Sequence, residues 1–164
     1  NTIFLYLNAT SGSQVNSTAW NNTSPTSSVF TVGTGTLMNT NGNTYIAYCW
    51  AEIEGFSKFG SYVGNANTDG PFVYCGFKPA FIMFKNADAT GNWVMSDSSR
   101  DSVNPAFGYH VAESSAIEER GTAIFDFLSN GFKLRNAWSS FNGSGNTIIF
   151  AAFAESPFQT ANAK

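Results

Sequence analysis

Along most of this chain apolar and polar residues alternate at a spacing of two, the period of a strand whose side chains project to opposite faces. Asn1–Asn8 (NTIFLYLN) predicts a short apolar strand, and the polar stretch that follows to Ser28, with Trp20 and Pro25 in it, reads as a loop. Val29–Val32 and Thr44–Glu54 predict two further strands joined through TNGN, where Asn41-Gly42 has the residue types a type I′ turn requires. Strands are also expected in GFSKFGSYVGN from Gly55, in FVYCGF and AFIMFKN on either side of Lys78-Pro79, at Asn92–Asp97 and at Gly121–Leu128. Between the last two lies Ser98–Arg120, the most charged and least periodic part of the chain, which reads as a long loop. Its segment Ser114–Glu119 is the one helix candidate, with Ser114 as cap and acids early in the turn.

An internal echo organises these elements. Gly42–Glu52 reads GNTYIAYCWAE and Gly145–Glu155 reads GNTIIFAAFAE, each followed by a phenylalanine, Phe56 and Phe158. Each copy is preceded by a short strand and a Gly/Asn turn: FTV with TNGN, and FKL with NGSGN. Two related hairpins about a hundred residues apart are too widely spaced for a solenoid and suggest a pair of packed sheets. The expected fold is therefore all-β, an antiparallel β-sandwich with at most one short helix. A single domain over 1–164 is expected, residues 1–28 being its polar, loop-rich start.

Composition narrows the function classes. Of 164 residues 43% are hydrophobic and only 12% charged, so the surface must be polar without being ionic, built from Ser, Thr, Asn and Gly. The net charge of -3 and the lack of any Lys/Arg run leave nothing to neutralise a phosphate backbone, and nucleic acid is not an expected partner. The apolar stretches, such as Ile148–Ala154, fall well short of the ~20 residues of a spanning helix, and no membrane insertion is expected. Asn1–Leu7 lacks the marks of a signal peptide, and the chain reads as a fragment of something longer. Cys49 and Cys75 stand in aromatic strand contexts (YCW, YCG), where a free thiol packs as a small hydrophobe; two cysteines do not make a zinc site.

Candidate chemistry is sparse. Glu52-Ile53-Glu54 places two carboxylates on one strand face, the pairing glycoside hydrolases use. Concanavalin-like glucanases carry a third acid two residues on, whereas this chain has Phe56 there, and the echo copy has Glu155 followed by Pro157. His110 has no G-x-S-x-G elbow to serve. Asn65–Gly70 (NANTDG) resembles the start of a calcium loop but has Gly76 at the twelfth position, so a polar turn is the better reading. No catalytic residue, cofactor or metal is expected. Trp20, Trp93 and Trp138 lie in or beside polar loops where an indole can stack on a sugar, but among 26 aromatic residues most must be core.

GFSKFGSYVGNANTDGPFVYCGFKPAFIMFKN, FDFLSNGFKLRN and GNTIIFAAFAESPF, with SPTSSVFTVGT and TYIAYCWAE upstream, resemble a β-rich domain that recurs at or near the C-terminus of bacteriophage tail and fibre proteins, especially of aquatic phages. The resemblance runs from Trp20 onward and is weak over Asn1–Ala19. It implies a virion protein assembled in the host cytoplasm, a homo-oligomer with three copies the usual number, other virion subunits as partners, and a host surface glycan or protein as receptor. Receptor contacts are expected on loops: Asn65, Asn67 and Asp69 in one, Arg100, Asp101, Asn104, Tyr109 and His110 in the other, with Trp93 beside them. A lectin-like module, a capsid decoration protein and a glycan hydrolase using Glu52 and Glu54 are the alternatives.

Overall fold

The computed structural model describes residues 1–156; Pro157 and Phe158, on which part of the echo rests, lie outside them. The chain divides into two compact units, Asn1–Tyr6 with Ser13–Trp50, and Leu7–Gly12 with Ala51 onward.

The first unit is mostly irregular. A two-residue strand β1 (Ile3–Phe4) pairs antiparallel with β2 (Gln14–Val15). Ala19 is its buried centre, its carbonyl accepting the Gly33 N–H at 2.8 Å, and the Trp20 indole donates to the Ile3 carbonyl at 3.0 Å. A turn does form at Asn41-Gly42, with Gly42 at φ 83°, a conformation that suits glycine, but Asn41 does not share the positive φ that a type I′ turn requires. The strands expected at Val29–Val32 and Thr44–Glu54 are not formed, and residues 41–54 are all exposed. Strand-favouring residues make a segment fit for a ladder, but a strand exists only where a neighbour takes its backbone groups; among the described residues this ladder stops at a single bridge, Ile53 to Ser57.

The second unit holds one continuous sheet. Its strands are β3 (Ser57–Val63), β4 (Phe72–Tyr74), β5 (Phe81–Asn86), β6 (Val94–Asp97), β7 (Ala106–Val111), β8 (Glu119–Leu128), β9 (Gly131–Leu134) and β10 (Thr147–Phe153). They run antiparallel in the order β3-β10-β5-β6-β7-β8-β9-β4. The expected two-sheet sandwich is thus overturned: a single eight-stranded sheet curls until it is nearly a closed barrel. Ring contacts across the inside show the curl. Phe84 of β5 meets Phe125 of β8 at 5.5 Å and Phe132 of β9 at 5.3 Å, and Phe132 meets Phe150 of β10 at 5.4 Å. Alternation identifies an inward face, here Ile82, Phe84, Ile148, Phe150 and Ala152, but does not say whether that face meets a second sheet or the far side of its own. The second echo copy forms β10, pairing with β3 on one side and β5 on the other.

Two further expectations are corrected. Ser98–Arg120 is not all loop, because β7 runs through its middle; the register shifts between Ala106 and Gly108, and this bulge breaks the alternation that would have announced a strand. No helix forms at Ser114–Glu119: the Ser114 hydroxyl accepts the Ala116 N–H in a local turn, and Glu119 opens β8. The helix among the described residues is α1 (Ser139–Asn142), which sets Phe141 against Phe84 inside the sheet.

Candidate functional site

The sequence-derived contact residues fall into two loops that the structure holds in different places. In the first, which joins β3 to β4, the side chains fold onto the backbone. The Asn65 side-chain Oδ1 accepts the Asn67 N–H at 3.0 Å and the Asn67 Oδ1 accepts the Asp69 N–H at 2.8 Å, two successive turns closed by amide side chains. Asn142, fully buried at the end of α1, anchors the loop from below. It accepts the Asn65 N–H at 2.8 Å and donates to the carbonyls of Asn67 and Asn136 at 2.9 and 2.7 Å. Asp69 pairs with Lys133 at 2.8 Å, and that hydrogen bond, with the Lys133 charge, holds its carboxyl below the usual range.

The second loop, on either side of β7, is tied by charge. Arg100 binds Asp97 through Nε and Glu118 through Nη1 at 2.6 Å; Glu118 also binds Arg120 at 2.6 Å, and Arg120 reaches Asp101. One carboxylate therefore bridges two guanidinium groups in planar, charge-assisted bonds. His110 stands at the edge, Nε2 4.0 Å from Glu118. Asp101 turns its other oxygen to the bulge and accepts the N–H groups of Phe107 and Gly108 at 2.9 and 2.8 Å. Burial raises the Asp101 pKa most, but these N–H bonds and the two arginines together leave it below the ordinary carboxylate value.

Other expected contact residues support the loops. Asn104 donates to the Phe127 carbonyl at 2.8 Å and accepts the Phe127 N–H at 2.9 Å, so its amide takes the place of a strand residue beside β8. Tyr109 is 4% exposed, with its hydroxyl donating to Glu119 at 2.6 Å and its ring edge-on to Trp138. Trp93 donates its backbone N–H to Glu113 and lines a shallow hollow of about 250 Å³ on the outer face of the sheet, with Phe59, Met83, Ile149 and Ala151. The hollow is almost wholly carbon and lacks the convergent polar groups that orient a ligand.

The second loop also displays apolar residues that the sequence pattern does not single out. Val103, Phe107 and Ile117 are 75%, 40% and 87% exposed, within the stretch that the arginines tie down. An isolated apolar residue in a polar loop is the only signal they gave. The paired acids do not share a task. Glu52 binds Lys58 at 2.9 Å and accepts the Phe59 N–H, and the Lys58 hydrogen bond first of all lowers its pKa, the opposite of what a proton donor needs. Glu54 lies in the exposed turn between Ile53 and Ser57. Both cysteines are free thiols, Cys49 exposed and Cys75 buried.

Comparison with known proteins adds a family but no function. The family described as Domain of unknown function (DUF7483) matches residues 1–157. No curated protein and no solved structure matches the chain.

Proposed function

We propose that this chain, which belongs to the DUF7483 family of unknown function, is a structural domain of a bacteriophage tail appendage that adheres to a host-surface glycan without cleaving it. The observation that carries the reading is the second loop. Two arginines and three acids lock its backbone while Val103, Phe107 and Ile117 stand out to solvent. Apolar residues displayed on a stiff, polar frame lose little conformational entropy on binding, which favours adhesion. The first loop, braced by Asn142 and Lys133, offers a second stiff polar surface on the same sheet. Sparse charge suits a domain that meets other subunits through broad, neutral faces, and a homo-oligomer multiplies weak loop contacts into firm attachment. The resemblance of the strand sequences to phage fibre domains supports placing it on the virion.

The test is capture of the labelled chain on an array of bacterial surface polysaccharides. The expected result is retention by a restricted set of glycans, reduced at least tenfold by Val103→Ser with Ile117→Ser and unaffected by Glu52→Gln. Retention indifferent to both loop substitutions would overturn the assignment to this loop. A chain that captured no glycan and no host cell would overturn adhesion itself.

A further inference from the structure

The segment Thr44–Trp50 (TYIAYCW) is a strand in all but its partner. It repeats the pattern of β10 (TIIFAAF), which has an antiparallel neighbour on each side. Both parities of the segment are largely apolar, as in a strand covered on two faces. Yet every residue of it is exposed, and among the described residues no backbone–backbone hydrogen bond reaches Thr44–Trp50. Ile46 is 79%, Tyr48 75% and Trp50 67% exposed, and the rings of Tyr48 and Trp50 stack on one face at 6.3 Å.

The hairpin that would carry this segment onto β3 is closed after its first rung. The next rung needs the Ala51 carbonyl and the Phe59 N–H, and both are taken by side chains: the Ser57 hydroxyl donates to Ala51 at 2.9 Å, and Phe59 donates to Glu52 at 3.3 Å. What the segment offers a partner is neutral. Residues 1–51 include no Asp, Glu, Lys, Arg or His, so neither an acidic nor a basic partner finds a counter-charge, and two identical copies meet without repulsion. The edge also lacks the lysine or proline with which exposed strands ordinarily prevent pairing. Its exposed apolar side chains, Tyr45, Ile46, Tyr48 and Trp50, present on the order of 600 Å², comparable with the ~800 Å² per partner of a specific interface.

We propose that Thr44–Trp50 is an assembly strand that pairs antiparallel with the same segment of a second copy of this chain. Across such a two-fold axis each residue meets the same surface from the other side, and self-complementarity is required. The pairing stands independently of host adhesion.

Sedimentation or light scattering of the full chain from about 1 to 100 µM, spanning the range of a micromolar dimer, tests it against the variant Ile46→Lys with Tyr48→Lys. Both positions are exposed, so the variant should retain the wild-type sheet circular dichroism. Wild type is expected at twice the chain mass of 17.7 kDa and the variant at the chain mass. Hydrogen exchange at 44–50 should slow as concentration rises in wild type only. A wild-type monomer throughout would overturn the proposal, as would slow exchange independent of concentration, which would place the partner within the same chain. A trimer unmoved by the substitutions would overturn this pairing while leaving adhesion intact.

Discussion

Asn142 and Asp101 show how single side chains set the loops. Asn142 is buried and satisfies three backbone groups, so Asn142→Ala leaves the Asn65 N–H and two carbonyls unpaired. Asn65 and Asn67 are themselves exposed, so water takes over part of what is lost, and at roughly 1–3 kcal/mol per unsatisfied buried group a loss of about 2 kcal/mol is expected, read as a lower urea midpoint. Asp101 has a folded pKa below its unfolded one. Its contribution is therefore full above the unfolded value of about 4 and is lost as pH falls through the folded value. The stability advantage of wild type over Asp101→Asn should be constant near neutrality and shrink below about pH 4, measured by denaturant titration at each pH. Burial pushes the Cys75 thiol up to about 12 while Cys49 is exposed. An aromatic disulfide reagent at neutral pH should titrate one thiol quickly and the second only after unfolding. None of these roles is visible in the sequence, where Asn142 is one asparagine among many; the partners that define it lie up to 77 residues away.

At the level of elements, legibility followed how far neighbours enforce the period of two. β3, β5 and β10 were readable because each has a ladder that keeps its register intact, Thr147 to Val63 through Phe153 to Ser57 for one pair. β7 was hidden because the bulge between Ala106 and Gly108 shifts the parity within six residues. Thr44–Glu54 failed in the opposite sense: its aromatic and β-branched residues suit a strand, but its hairpin is capped by Glu52 and Ser57. The charged loop was recognised from composition, but not its wiring, since Arg100–Glu118 and Asp101–Arg120 span 18 and 19 positions. The closing edge of the sheet depends on a close backbone approach. A Cβ on Gly131 would sit 2.0 Å from the Val73 carbonyl oxygen, in the pairing of β4 with β9. Gly131→Ala should cost about 3 kcal/mol, with early exchange of the Phe72–Tyr74 amides as the readout.

For the whole molecule, one curled sheet filled with phenylalanine rings provides the rigid body from which both loops project. The interior accounts for much of the aromatic richness that a sequence reading divides between core and sugar stacking: Phe84, Phe125, Phe132 and Phe141 are fully buried. What distinguishes an adhesion domain from a hydrolase on this scaffold is the fate of the glycan. The most direct measurement is to hold the chain with a polysaccharide it captures and follow the polymer's size distribution by gel filtration with light scattering. A stable complex and unchanged polymer length are expected. Shortening of the polymer, abolished by Glu52→Gln, would contradict adhesion without cleavage and make the domain a glycan hydrolase.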